Sequence, residues 1–348
     1  MKYFTVGPTQ TFRGFEELLS DALKKEIPSI SHRSQEFREL YKSTVHELKR
    51  VMNIPEGFSV FFVASATEAM ERILQNFSKS SFHYVNGAFS NRFHKIAKNL
   101  GIEAKKKEVN FGEGFCEAEK LSTDTICLTH NETSTGVALP LEFIYETKKR
   151  NPESIVAVDI VSSAPCYNFD FNNIDIGFFS VQKGFGLPAG LGVIIVRDCI
   201  INEPVNDVAF YRNFSFMRQK ATEFQTAETP NVLAIYLLGK ICKTIDSEIH
   251  KKTEEKSKLL YSFFEKTSWK PFVDNYKSNT IIVIETGEDT KNIIDGLKNK
   301  GIAVSSGYKD FKEKQIRIAN YPMHSKEDIH LLIESMQSLD NKQIHQNI

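Results

Sequence analysis

A lysine ends the apolar run Phe178-Phe179-Ser180-Val181-Gln182-Lys183 and opens a glycine-containing turn, Gly184-Phe185-Gly186; a second apolar run, Leu191-Gly192-Val193-Ile194-Ile195-Val196, follows. Lysine is rarely buried without a partner, so one reading is a surface amine at the tip of a hairpin. The other is a buried amine at a strand end, its pKa lowered by burial so that it forms a Schiff base with a carbonyl cofactor. A second residue bears on the choice. Ser154-Ile155-Val156-Ala157-Val158-Asp159 is an apolar run ending in one carboxylate, the pattern of a buried strand that delivers a charge to a site at its C-terminal end. Alone, Asp159 would serve as a helix or turn cap. With Lys183 it completes the pair that pyridoxal phosphate chemistry requires, a lysine to hold the aldehyde and an acid to pair with the pyridinium nitrogen.

The surrounding elements must bring these two groups together. Phe58 to Ala64 reads as a strand, and Ser65-Ala66-Thr67 turns from it into a helix. Such a turn aims backbone N–H groups and a positive dipole end at an anion, although a plain helix cap by Ser65 or Thr67 has the same pattern. Further strands are expected at residues 81–86, 104–109 and 125–129, the last followed by the polar loop His130-Asn131-Glu132-Thr133-Ser134-Thr135-Gly136. Strands alternating with helices and mostly uniformly apolar argue for an α/β fold with a mainly parallel sheet covered by helices. Upstream, His32-Arg33 precedes a helix capped by Ser34; Arg33 is either a surface charge or a forked clamp for a carboxylate or phosphate. Asn213 to Asn231 reads as an irregular polar stretch, with Pro230 starting a long apolar helix. From about residue 248 the pattern changes to a small α+β unit, giving expected domains of residues 1–247 and 248–348. In it, Arg317 sits between Ile316 and Ile318 on a strand, where it projects from one face as a salt-bridged strand arginine or an anion clamp.

Composition narrows the function classes. The 348 residues carry 44 basic and 44 acidic side chains, so no net charge favours nucleic acid or an anionic membrane as partner. No run approaches the roughly 20 apolar residues of a membrane-spanning helix, and no signal peptide is expected. The five cysteines, Cys116, Cys127, Cys166, Cys199 and Cys242, form no CxxC pair and have no histidine at metal-ligand spacing. We therefore expect no metal site, reduced thiols and a cytoplasmic location.

From Val6-Gly7-Pro8 to Arg317-Ile318-Ala319-Asn320-Tyr321 the sequence resembles the class V pyridoxal phosphate-dependent aminotransferases, of the fold called type I, and within them the phosphoserine aminotransferases most. The resemblance implies a large domain with a mainly parallel sheet flanked by helices, a smaller C-terminal α+β domain, and pyridoxal 5'-phosphate as cofactor. It implies that Ser65, Ala66 and Thr67 hold the cofactor phosphate, that Phe89 stacks on the ring, and that Thr133, Asp159, Gln182 and Lys183 complete the cofactor site. Ordinary core packing for Phe89 and a simple turn for Thr133 are the alternatives. Thr229 would reach the cofactor phosphate of a neighbouring subunit, giving a homodimer with active sites at the interface. Arg317 would clamp the substrate α-carboxylate, and His32 and Arg33 would meet the distal group. The implied reaction is ping-pong amino transfer from an amino acid to a 2-oxo acid, with phosphoserine and 2-oxoglutarate as the pair.

Three positions depart from the phosphoserine pattern. Thr67 stands where an arginine is common, Glu228 where an asparagine is usual, and Tyr308-Lys309 are the nearest candidates in place of the His-Arg pair with which those enzymes commonly read the substrate phosphate. These departures support a rival class V enzyme acting on serine, alanine or glyoxylate. A cysteine desulfurase-like lyase is disfavoured, since no cysteine follows Cys242 and Gln182 rather than histidine precedes the lysine. A non-catalytic binding protein on this fold would be expected to have lost Lys183 or Asp159.

Overall fold

The computed structural model describes the backbone of residues 1–346. The chain opens with β1 (Lys2–Phe4), α1 (Phe15–Lys24) and α2 (Gln35–Met52). The Ser34 side chain caps α2 by accepting the Phe37 N–H, and Phe37, Tyr41 and Leu48 bury the apolar stripe of that helix. Strand and helix then alternate through β2 (Phe58–Val63), α3 (Ala66–Phe77), β3 (Ser80–Val85), α4 (Ala88–Asn99), β4 (Glu103–Glu108) and β5 (Thr125–Thr129). A small hairpin, β6 (Asn131–Glu132) and β7 (Val137–Ala138), precedes α5 (Leu141–Arg150), β8 (Ile155–Asp159), β9 (Ile176–Ser180) and β10 (Gly192–Arg197).

These strands form one seven-stranded sheet in the order β2-β10-β9-β8-β5-β3-β4. All but β10 run in the same direction, while β10 is antiparallel to both neighbours. The reversal follows from the short link that carries Lys183, because a parallel return needs a crossover of a dozen or more residues, usually with a helix. Apolar clusters cover both faces, which is why β8, β9 and β10 are almost continuously buried. The fold is α/β, as expected.

After a one-turn α6 (Asp198–Ile201), the stretch expected to be irregular contains α7 (Phe214–Thr222). Asn213 caps it by accepting the Ser215 and Phe216 N–H groups, and Phe214 and Met217, three residues apart, are buried. The short amphipathic period was hidden among polar residues. The next helix, α8 (Val232–Thr244), starts after Pro230 rather than at it, with Asn231 as its side-chain cap, a better acceptor for the first free N–H groups than proline can offer.

The remaining elements are α9 (Ile249–Phe264), β11 (Lys270–Pro271), β12 (Ile281–Glu285), α10 (Thr290–Asn299), β13 (Ile302–Ser306), β14 (Gln315–Ala319) and α11 (Lys326–Gln346). Their strands form a second sheet, β1-β13-β14-β12-β11. Its edge comes from the far end of the sequence: Lys2, Tyr3 and Phe4 pair in parallel with Ile302, Ala303 and Val304. The N-terminal arm therefore crosses from one sheet to the other. Val6 packs with Cys166, Ile281 and Tyr321 in an apolar cluster between them. No helix among the described residues is long and apolar enough to cross a membrane.

Four histidines are buried among the described residues, and in three of them the shift is large: burial pushes His83 and His130 down to about 3 and His324 down to about 4, from the usual 6.5. Below pH 6.5 the unfolded chain takes up protons that the fold refuses, so stability falls as pH falls towards the folded pKa values. Integrated from pH 7.5 to pH 5.5, the three sites together cost the fold about 4 kcal/mol, and the melting temperature is expected to drop by several degrees. A flat melting profile across that range would contradict neutral buried imidazoles.

Candidate active site

The parallel register gathers the C-terminal strand ends on one edge of the large sheet. Thr129 pairs across to Asp159, Asp159 to Phe178, and Gly192 lies beside both Ser180 and Val63. The loops leaving these ends enclose a cavity of about 360 Å³, closed on the other side by Gly7 of the arm and by Ser305, Tyr308 and Arg317 of the second sheet.

Lys183 is 6% exposed. Its Nζ donates to Thr133 Oγ1 at 2.7 Å and Ser162 Oγ at 2.9 Å and lies 5.3 Å from the centre of the Phe89 ring. Burial pushes the amine below the usual lysine range, while the nearby Asp159 carboxylate opposes that shift. Asp159 is buried too, and burial pushes it above the usual carboxylate range against the Val161 N–H and the Lys183 charge. Its Oδ1 accepts the Val161 N–H at 2.9 Å. The lysine at the start of the β9–β10 link is thus an enclosed amine of low intrinsic basicity rather than a hairpin-tip charge.

Gly7 explains how the arm approaches so closely. Its φ of +146° is a conformation that L side chains rarely adopt, and a Cβ there would lie 2.8 Å from Lys183 Cε. Gly7→Ala is expected to displace the lysine stem and slow any reaction that uses the amine by about 100-fold, the cost typical of a displacement near 1 Å at a reacting group, with little change in circular dichroism. Wild-type turnover by this variant would show that the arm does not hold the amine.

The turn between β2 and α3 is a capped helix start. Ser65 Oγ accepts the Glu68 N–H at 3.2 Å, Glu68 accepts the Ala64 N–H at 2.8 Å, and the Ala66 N–H donates to Ser180 Oγ at 2.7 Å. Thr67 is exposed and lines the cavity with Ser65 and Ala66. The start of α4, which carries Phe89, is organised differently. The buried Glu132 carboxylate accepts the Phe89 and Ser90 N–H groups at 3.0 and 2.9 Å. A Cβ on Gly87 would fall 2.4 Å from Glu132 Cγ, so only glycine fits there.

Arg317 donates to Ser306 O at 2.9 Å and Thr133 O at 3.2 Å, and its guanidinium lies 5.6 Å from the Tyr308 ring centre. Lys309 lines an adjoining cleft with Asn110 and Phe111 instead of the main cavity. Gln182 lines the cavity directly before the lysine.

Three expected residues lie outside this cavity within one chain. Exposed Arg33 donates to Gln225 Oε1 at 2.6 Å and Thr226 O at 3.2 Å; His32 is next to it, its pKa lowered by partial burial and by the Arg33 charge. Thr229 is exposed. Its neighbour Glu228 pairs with Arg72 at 2.8 Å, and Arg72, only 1% exposed, also pairs with Glu68 at 2.6 Å. The carboxylate that departs from the phosphoserine pattern is therefore held by an internal cation on α3.

Sequence reasoning passed over Ser162, Ser180, Glu132 and Arg92. Glu132 stood in a loop already singled out as polar; Ser162 and Ser180 had only their nearness to Asp159 and Lys183 as a signal.

The cavity wall suits a polar ring compound that brings hydrogen-bond donors as well as acceptors. Buried Thr129 Oγ1, Asn131 Oδ1 and Gln182 Oε1 have no hydrogen-bond partner among the described residues, and all three residues line the cavity. Unsatisfied buried polar atoms are costly unless a ligand meets them. An enclosed amine, a buried carboxylate and an aromatic face around such a space define a pyridoxal phosphate enzyme.

Comparison with known proteins gives the class. The sequence profile described as Aminotransferase class-V matches residues 5–332, and the chain belongs to that family, the pyridoxal phosphate-dependent transaminases. A solved phosphoserine aminotransferase from Cytophaga hutchinsonii is 41% identical, with a TM-score of 0.93 over 97% of this chain and 98% of that one. A phosphoserine aminotransferase from Nocardioides is 24% identical over 96% of this chain and 94% of its own length. Alanine–glyoxylate aminotransferase 1 of Saccharomyces cerevisiae is 25% identical over 87% of this chain and 89% of its own length.

Proposed function

We propose that this transaminase is a phosphoserine:2-oxoglutarate aminotransferase of serine biosynthesis. The observation that carries the reading is the 41% identity to the Cytophaga phosphoserine aminotransferase over nearly the whole of both chains.

Pyridoxal 5'-phosphate, when bound, supplies a carbonyl for imine formation and a ring that accepts charge from the substrate α-carbon. The residues around it divide the remaining work. Lys183 Nζ would hold the cofactor carbonyl and, as a free amine, would move the proton at the substrate α-carbon. Its lowered pKa keeps a useful fraction of the amine neutral near pH 7. Asp159, under the same edge of the sheet, holds a proton on the ring nitrogen through its negative charge. Arg317, already oriented by two backbone carbonyls, takes the α-carboxylate as a fork. Gly7 keeps the lysine stem in place, and the enclosed walls exclude water from the exchange. Donor and acceptor bind in turn, the ping-pong order.

In this reading the protein acts as a homodimer. Arg33 and Thr229 lie exposed and away from the cavity of their own chain, as suits residues that complete the site of a neighbouring subunit; Thr229 would meet the cofactor phosphate there and Arg33, with His32, the distal substrate group. We divide the chain near residue 248, with the N-terminal strand inserted into the smaller sheet, and place the protein in the cytoplasm, where its five free cysteines stay reduced.

The second reading is an alanine–glyoxylate type of aminotransferase, favoured by the exposed Thr67 and by Lys309 facing an adjoining cleft. Single-turnover mixing of the holoenzyme with phosphoserine, serine or alanine separates the two. Fast conversion by phosphoserine alone is expected, with Arg33→Ala weakening phosphoserine binding by about tenfold or more, the value of a charge-assisted contact. Conversion by serine or alanine with phosphoserine inert would select the second reading.

A further inference from the structure

Among the described residues, the acidic and basic side chains lining the cavity are Lys183, Arg317, Arg92 and Asp159. Glu132 adds a carboxylate nearby, but its oxygens are committed to the N-terminal N–H groups of α4 and to the Ser90 and Ser134 hydroxyls. The cavity is thus built with an excess of cations, and its occupant must bring negative charge. Arg317 is anchored by backbone carbonyls, and Lys183 by two hydroxyls.

Arg92 is different. It lies on α4 three residues after Phe89, on the same face of the helix, and its guanidinium stacks 4.9 Å from the centre of the Phe89 ring. That ring is also the one facing the Lys183 amine. No carboxylate or carbonyl among the described residues pairs with the Arg92 side chain. Arg92 is exposed; Arg33, which is exposed too, and the less exposed Arg72 and Arg197 are engaged by acceptors. The stack holds the planar fork at the cavity wall with its N–H donors free, the state in which arginine recognises a carboxylate or phosphate. Thr67 and Met70 of α3 share that wall, and α3 packs against α4.

We infer that Arg92 is an anion-binding residue of this cavity, positioned by its stack on Phe89 to pair with a phosphate or carboxylate group of a bound molecule. The inference deepens the proposed function and rests on it for the identity of the site. Two anions share this chemistry: the cofactor's phosphate, and the distal group of an anionic amino donor.

The test compares wild type, Arg92→Gln and Arg92→Lys. Cofactor affinity is read by fluorescence titration of the cofactor-stripped full chain with pyridoxal 5'-phosphate. Donor affinity is read from single-turnover rates of the holoenzyme with phosphoserine, glutamate and alanine. If the distal substrate group is the partner, Arg92→Gln raises the dissociation constants of phosphoserine or glutamate by about tenfold or more, with those of alanine and the cofactor unchanged. If the cofactor phosphate is the partner, the cofactor constant rises by a similar factor. Either result supports the inference, and Arg92→Lys is expected to recover part of the loss by restoring the charge without the fork. Changes under twofold in both measurements would overturn it. A wild-type enzyme inert to phosphoserine would sink the phosphoserine assignment alone, because the glutamate and cofactor arms still report on Arg92.

Discussion

Replacing Lys183 by alanine is expected to lower amino transfer by at least roughly 1,000-fold, within the range that a positioned proton-transfer group contributes, in a protein that still folds. Among the described residues it is the one enclosed primary amine facing the cavity, and its two hydroxyl partners, Thr133 and Ser162, already hydrogen-bond one another, a bond that can persist once the amine is gone. A readout independent of activity is available. Borohydride reduction of the wild-type holoenzyme should add the mass of the cofactor less one oxygen to the peptide containing Lys183, since condensation loses water and reduction adds two hydrogens, and the variant should gain none. Removing the amine also removes the charge that restrains the pKa of Asp159, so Asp159 should titrate at higher pH in the variant. Turnover within tenfold of wild type would take Lys183 out of the chemistry.

The second large effect is expected for Asp159→Asn. Asparagine keeps the shape and can still accept the Val161 N–H, yet it places no negative charge beside the buried ring site. Loss of one preorganised electrostatic group typically costs about 100- to 1,000-fold in rate. The loss should fall on the rate of the half-reaction and leave the dissociation constant of the amino donor within a fewfold, because in the proposed mechanism Arg317 rather than Asp159 takes the α-carboxylate. Arg317→Ala should show the opposite division, with donor affinity falling more than the rate at saturation. Equal losses of affinity and rate in both variants would mean that the two side chains act through the architecture of the cavity rather than at separate ends of the ligand.

Much of this was legible without coordinates because it depends on local periodicity. An apolar strand ending in Asp159, another leading into the link that carries Lys183, the Ser34 cap, a cap at Ser65 or Thr67, and the strand–helix alternation all follow from neighbours in sequence, and they led to the family and its cofactor. Local patterns failed where the signal was short or borrowed. Helix α7 rests on one cap and two buried side chains, and β1 is a strand only because Ile302 to Val304 lies across the molecule to pair with it. The fine structure of the site was decided in three dimensions. Gly7 meets Lys183, Glu132 caps the helix of Phe89, Arg72 takes up Glu228, and Arg92 is left with its donors free, each through contacts between segments far apart in the chain. Residue type and spacing determined which groups could do chemistry. The register of the sheet and the crossing of the N-terminal arm decided which of them share one desolvated space, because burial and partnership, which set the charge and reach of a side chain, are properties of the packed molecule.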